Sequence, residues 1–198
     1  MDFSALIVIM MSAVLVNNFV LIQFLGICPF LGVSKKLDSA VGMGCSVVFV
    51  MLLAAAATWP IYTFLLAPNE LGFLRTIVFI VIIAALVQLV EMVMKKFMPA
   101  LYKSLGIFLP LMTTNCAVFA ATLLNVDMNY SFAEALTNAL GAGLGFLLAM
   151  VIFSGIREST ENADPPQCIK GLPLALFSVS ILAMAFMGFG GVIENLFG

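Results

Sequence analysis

The chain has 198 residues, 64% apolar and 9% charged, with a formal net charge of −2 and a mean hydropathy of +1.21. A soluble domain carries roughly 45–50% apolar and about 25% charged residues, so this chain has more apolar surface than a water-facing fold can hide, and its solvent is lipid. No long charge run marks a nucleic-acid binder, and the absence of histidine excludes bis-histidine haem, Rieske centres and His-ligated zinc within the chain.

A membrane helix needs roughly 20 mostly apolar residues. Six segments qualify, at about Ser4–Ile27, Ala40–Leu66, Phe73–Met94, Leu101–Leu124, Phe132–Ile156 and Leu172–Leu196. They predict an all-α integral membrane protein of one domain. The opening "MDFSALIVIMM" has neither a basic leader region nor a small-residue cleavage site, so it predicts a retained span rather than a removed signal.

The first span carries Asn17, Asn18 and Gln23 and closes on "FLGICPFLGVSKK", where Gly26 and Pro29 bracket Cys28. The second opens with "VGMG" (Val41–Gly44) and Cys45 and stops before Pro68–Asn69–Glu70. The third ends in "LVQLVEMVMKKF", with Glu91 four residues before Lys95. In the fourth, "LGIFLPLMTTNCAVFAATLL", Pro110 and the polar run Thr113–Thr114–Asn115 precede Cys116. The fifth follows Asp127–Asn129 and has "LGAG" (Leu140–Gly143) near its start. Arg157–Pro166 separate it from the sixth, with Cys168 in that polar connection.

Alternate connections hold Lys35 and Lys36, then Lys95, Lys96 and Lys103, then Arg157 and Lys170, while the other side has Arg75 alone. Basic residues stay cytoplasmic, so with six spans both termini are expected on the outer side.

Two patterns recur. "LGI" occurs at Leu25–Ile27 and Leu105–Ile107, each time near a proline (Pro29, Pro110) and a cysteine (Cys28, Cys116), and "VGMG" is echoed by "LGAG". The halves, about 1–98 and 99–198, thus resemble each other. Three spans per half is odd, so the halves run in opposite directions, as in inverted-repeat transport proteins, with broken helices expected near Cys28 and Cys116. Irregular backbone at membrane depth requires protein or a polar cavity around it, so both cysteines are expected in protein-facing surroundings. Three readings of the pair stay open: small apolar packing residues, a disulfide, or thiolate ligands whose charge a metal such as iron compensates. Two thiolates do not complete a four-thiolate site, so the third reading needs a partner or a second copy. No pair has CxxC spacing. Cys45 and Cys168 have no repeat partner and are read as non-ligands.

The stretches Val14–Gly44 and Leu101–Asn125, with "GAGLGFLLAMVIFSGIRE" (Gly141–Glu158) and "AFMGFGG" (Ala185–Gly191), resemble the RnfA family of the Rnf electron-transport complex over essentially the whole chain. A related family is NqrE of the sodium-translocating NADH:quinone reductase. Asn17–Asn18, Cys28–Pro29 and Thr113–Thr114–Asn115–Cys116 favour the former. The resemblance implies a component, not catalytic alone, of an ion-translocating ferredoxin:NAD+ oxidoreductase in a bacterial or archaeal cytoplasmic membrane. It also implies a homologous partner of opposite topology, RnfE, beside RnfB, RnfC, RnfD and RnfG. It further implies an intramembrane [2Fe–2S] cluster shared with that partner, to which Cys28 and Cys116 contribute two iron ligands, and coupling to Na+ or H+ transport.

On that reading Thr113, Thr114 and Asn115 are candidate donors to the sulfurs, although a threonine hydroxyl equally bonds back to its own helix. Gly26 is a candidate for close approach by the partner backbone. Glu91 either couples to an ion or pairs with Lys95 at the membrane boundary. Asn17 and Asn18 either meet an ion or bridge spans. A metal-free inverted-repeat transporter and a purely structural scaffold are the readings of other classes.

Overall fold

The computed structural model describes residues 3–34, 37–66, 72–97, 115–161, 166 and 171–197. Lys35, Lys36, Pro68–Glu70, Lys103, Pro110, Thr113, Thr114, Cys168 and Lys170 lie outside the described residues. Among those described, the regular structure is helical and contains no strand. The protein is an all-α membrane protein. Among the described residues three helical stretches are long and apolar enough to cross a bilayer, Leu37–Leu66, Arg75–Val93 and Phe132–Thr160, and Leu6–Val16, Cys116–Asp127 and Leu172–Gly188 are shorter apolar helices.

The first span is not one helix. Helix α1 (Phe3–Met11) runs into a π-turn, Ser12–Val16, closed by the Asn17 amide on the Ser12 carbonyl at 2.8 Å. Residues 17–26 are unwound, and α2 (Ile27–Val33) resumes for seven residues. The break therefore begins nine residues before the expected Gly26–Pro29 bracket and ends at Gly26, beside Cys28. Pro29 is the third residue of α2, where a missing amide costs little because first-turn amides lack helical partners.

The unwound backbone is held mainly by Asn18, which is 1% exposed. Its Oδ1 accepts from the amides of Val20 (3.1 Å) and Leu21 (3.4 Å), and its Nδ2 donates to the carbonyls of Gly145 (2.9 Å) and Val14 (3.4 Å). Ile22 and Leu25 amides bond the Asn18 and Phe19 carbonyls. These contacts meet the requirement that polar backbone away from water be paired. Asn18 is thus a bridge between spans.

Helix α3 (Leu37–Ile61) contains Pro60 and ends in a π-turn, Tyr62–Leu66. A 3₁₀ turn, Gly72–Leu74, leads into α4 (Arg75–Phe97). After residue 114 come α5 (Cys116–Asp127), α6 (Phe132–Glu161) and α7 (Leu172–Phe197). Helix α6 continues five residues past the expected end of the fifth span, so Arg157 is helical rather than part of a connection.

Helix α6 is the rail against which the broken first span is laid. A Cβ on Gly141 would meet Ala13 Cβ at 2.9 Å and the Met10 carbonyl at 3.0 Å, and one on Gly145 would meet Asn18 Nδ2 at 3.2 Å. Small residues let the two backbones approach. Further along α6, Phe146 touches Gly26, Phe153 stacks on Phe30 with ring centroids 4.5 Å apart, and Arg157 reaches Leu31 and Ser34.

Helices α3 and α6 form the most extensive helix pair, and their contact is reciprocal. A Cβ on Gly44, which closes "VGMG", would meet Leu147 at 3.0 Å, and one on Gly143, which closes "LGAG", would meet Val48 at 3.0 Å. Val48 and Leu147 each stand four residues beyond the glycine of their own helix.

Candidate functional site

Both motif cysteines stand in the first turn of a helix. Cys28 is the second residue of α2, whose cap is Gly26 at φ +82°. Cys116 is the first residue of α5, capped by Asn115, whose Oδ1 accepts the Ala117 amide at 3.0 Å. Asparagine is a favoured N-cap because its side chain satisfies a first-turn amide, so the "NC" dipeptide fixes where α5 starts and places the thiol at that start.

The two motifs meet. The Gly26 amide donates to Cys116 Sγ at 2.8 Å, across 90 residues of sequence. Gly26 is needed for two reasons. Its φ of +82° is a left-handed conformation that glycine adopts without steric cost. A Cβ there would also lie 3.0 Å from Phe146, 3.2 Å from Ala117 and 3.2 Å from Asn115 Oδ1. Within this chain the close approach at Gly26 is made to its own second cysteine motif.

The surroundings of the two thiols differ. Cys116 is half-buried, whereas Cys28 is exposed at this chain's own surface. The cause is geometric. Phe30, fully buried, points α2 towards α6, and a residue two positions away lies roughly 200° around a helix. Cys28 therefore faces outward from this chain. Cys45 is also exposed, on α3.

Asn115 is 4% exposed, and its Nδ2 has no acceptor among the described residues. A buried amide donor without a partner costs about 1–3 kcal/mol, so this side chain is set to serve an acceptor at the start of α5. Among the described residues no three of His, Cys, Asp or Glu gather into one cluster.

Away from the cysteines, Asn17 lines a cavity of about 400 Å³ together with Ser12, Gln23, Tyr130 and Asn138. The Asn17 side chain donates to Ser12 Oγ at 3.4 Å, so it does not share the bridging role of Asn18. Asn138 Nδ2 in turn donates to Asn125 Oδ1 at 2.8 Å, both residues being buried. Glu91 is half-buried on α4, one turn before Lys95.

Three further residues bear on the site through contacts that only the fold shows. Phe146 packs on Gly26, Ser34 is fully buried, and Arg157 donates to Ser34 Oγ and to the Leu31 carbonyl, each at 2.9 Å. The sequence signal for Arg157 is its charge, which reads as a membrane-boundary marker.

The family described as "Rnf-Nqr subunit, membrane protein" matches residues 6–193. The chain is 56% identical, over 94% of its length and 97% of the relative's, to a protein of Acetobacterium woodii named as the A component of the Na(+)-translocating ferredoxin:NAD(+) oxidoreductase complex. Proteins of Syntrophotalea carbinolica and Serratia proteamaculans, both named as the A component of an ion-translocating oxidoreductase complex, are 51% and 52% identical. They cover 96% and 92% of this chain, and 98% and 95% of their own lengths are matched.

Proposed function

The chain belongs to the Rnf-Nqr family of membrane subunits, and we infer that it works as the RnfA component of an ion-translocating ferredoxin:NAD+ oxidoreductase. In this role Cys28 and Cys116 supply two of the four thiolates of a [2Fe–2S] cluster held within the membrane. A homologous partner of opposite topology, RnfE, supplies the other two, and the pair works beside RnfB, RnfC, RnfD and RnfG. Electron relay through this site is coupled to Na+ or H+ transport across a bacterial or archaeal cytoplasmic membrane, with both termini of this chain outside.

The observation that carries the reading is the Gly26 amide on Cys116 Sγ at 2.8 Å. It brings together two cysteine motifs that lie far apart in sequence, on two separate helix starts. A thiol to be shared with another polypeptide must lie at its own chain's surface, and Cys28 does. The reciprocal packing of Gly44 on Leu147 and Gly143 on Val48 supports the inverted-repeat relation of the two halves.

The donor set suits thiolate ligands. When bound, the cluster supplies one-electron redox chemistry that side chains do not provide. The Gly26 amide donates to Cys116 Sγ, the kind of contact that a ligand sulfur accepts. The start of the twelve-residue α5 adds the positive end of the helix dipole at Cys116. Asn115 Nδ2 is a second donor at that helix start, available to a sulfur acceptor. Donors to sulfur raise the potential of such a site, so these groups bear on how readily an electron is accepted there.

The test is to purify the whole complex and measure iron and the reduced-state EPR spectrum for the wild type, Cys28→Ser and Cys116→Ser. Loss of the shared-cluster signal in each variant is expected. Iron and signal unchanged in both variants would overturn the ligand assignment. A wild-type pair of this chain and its homologous partner that holds no iron would favour a metal-free transporter.

A further inference from the structure

We propose that Arg157 is a positioning residue for Cys28: from α6 it clamps the C-terminal end of the short helix that carries the thiol, and its charge acts on the same site. Helix α2 has seven residues, about two turns. A helix that short is not stable by itself, and the ten residues before it are unwound. The direction of Cys28 is therefore set by whatever α2 is docked on.

Two attachments on one face of α6 set that direction. Phe30 is fully buried and stacks on Phe153 at 4.5 Å with an interplanar angle of 18°. One helical turn further along α6, Arg157 Nη1 donates to the Leu31 carbonyl and to Ser34 Oγ, both at 2.9 Å. Leu31 is in the last turn of α2, where carbonyls lack helical donors, and Ser34 is fully buried at the cap. The Gly26 cap already ties the start of α2 to α5, and the arginine contact ties its far end to α6. With both in place, Cys28 is held on the outward side of α2.

The guanidinium also brings charge. Cys28 and Leu31 are three residues apart, about 4.5 Å along the helix axis, so a fixed positive charge sits one short helix away from the thiol. A cation near a redox site favours its reduced, more negative form, and in partly buried surroundings the effect is only weakly screened by salt. The positioning argument stands on geometry. The statement about potential rests on reading Cys28 as a cluster ligand.

The test uses the complete purified complex carrying Arg157→Gln, Arg157→Lys or Ser34→Ala. Two readouts are taken. One is the midpoint potential and reduced EPR spectrum of the Cys28-dependent signal. The other is the rate at which N-ethylmaleimide alkylates Cys28 after iron is removed by a chelator, followed by peptide mass. Arg157→Gln is expected to lower the potential, alter the spectrum and change the Cys28 alkylation rate several-fold. Arg157→Lys, which keeps the charge but not the planar fork, is expected to recover the potential more fully than the alkylation rate.

A purely structural Arg157 would lower the yield of complex and leave the spectrum, the potential and the alkylation of what remains unchanged. That result overturns the proposal. If Arg157→Gln does not assemble, Ser34→Ala decides by the same two readouts, because it removes only one of the two acceptors. If the wild type shows no Cys28-dependent signal, the ligand reading fails, and the alkylation rates alone decide whether Arg157 positions Cys28.

Discussion

The Gly26 amide donates to Cys116 Sγ at 2.8 Å, so the cap of one cysteine-bearing helix lies against the first residue of the other. Replacing Gly26 by alanine tests this contact. The φ of +82° is strained for any residue with a Cβ, and that Cβ would stand 3.0 Å from Phe146 and 3.2 Å from Ala117. Left-handed backbone costs about 1–2 kcal/mol and overpacking about 1–3 kcal/mol. Gly26→Ala should lower the thermal unfolding midpoint of the purified complex and reduce iron per complex together. A stable complex with full iron would show that the two helix starts do not depend on this approach.

Asn18 gives a second prediction. It fastens the unwound segment through two accepted and two donated bonds, one of them to Gly145 on α6. Asn18→Ala leaves the Val20 and Leu21 amides without their acceptor, while the Gly145 carbonyl keeps its place in the α6 ladder. At about 1–3 kcal/mol for each buried group left unsatisfied, the loss should be several kcal/mol at most, reduced by any water that enters. Asn18→Asp keeps the acceptor and loses the donor, so it should fall between wild type and alanine only if its added charge finds a cation. Otherwise it should be the worse of the two. Denaturant or heat unfolding of the three complexes ranks them.

Much of this organisation is legible in the sequence. Apolar run lengths locate α3, α4, α6 and α7 closely, because lipid imposes length and composition directly. The paired "LGI" motifs point to Cys28 and Cys116, whereas "VGMG" and "LGAG" read only as a repeat, and that their glycines meet across α3 and α6 is visible only in the fold. The position of the first break is not legible, because Gly26 and Pro29 are the strong local breakers while the unwinding at 17–26 is sustained by Asn18 bonding to Gly145, 127 residues away. Arg157 is equally illegible. Its charge is visible, but its partners Leu31 and Ser34 lie on a helix that only the fold brings near.

The reciprocal glycine contacts predict an asymmetry. At Gly143 the atom nearest an added Cβ is Val48 Cα, part of the backbone, at 3.0 Å, whereas at Gly44 it is Leu147 Cδ1, a side-chain end, at 3.0 Å. A side-chain end can rotate away and a backbone cannot. Gly143→Ala should therefore destabilise by about 1–3 kcal/mol and Gly44→Ala by less. The double variant should depart from the sum, since the two sites share one interface. Equal effects at both positions would contradict the contact as described.

The ion pair between Arg75 Nη1 and Asp127 Oδ1, at 2.6 Å, ties the start of α4 to the end of α5. Its side chains are 29% and 53% exposed, and exposed pairs contribute roughly 0–1 kcal/mol. Asp127→Asn should change the unfolding midpoint little, and the small difference should shrink further as salt is raised. A large loss that persists at high salt would mean that the pair is enclosed in the assembled complex.

Asn115 allows capping to be separated from donation to sulfur. Its Oδ1 caps α5 through the Ala117 amide, while its Nδ2, buried and without an acceptor among the described residues, is the part that the proposed thiolate site would use. Aspartate caps a helix about as well as asparagine but has no Nδ2 and carries a negative charge. Asn115→Asp should therefore keep the cap but, in a site only 4% exposed, add a buried charge that costs stability unless a cation compensates it, while lowering the midpoint potential of the Cys116-dependent signal, because a donor is lost and an anion added at that helix start. Asn115→Ala loses both functions, with a capping cost of about 0.5–2 kcal/mol, so it should lower stability as well as potential. Asn115→Ser restores the cap but not a donor of the same reach, and should recover stability without fully recovering potential. Redox titration monitored by EPR, alongside thermal unfolding of the same preparations, gives both quantities. If stability and potential move together through all three variants, Asn115 acts on the site only by starting the helix, and its free amide has no part in tuning it.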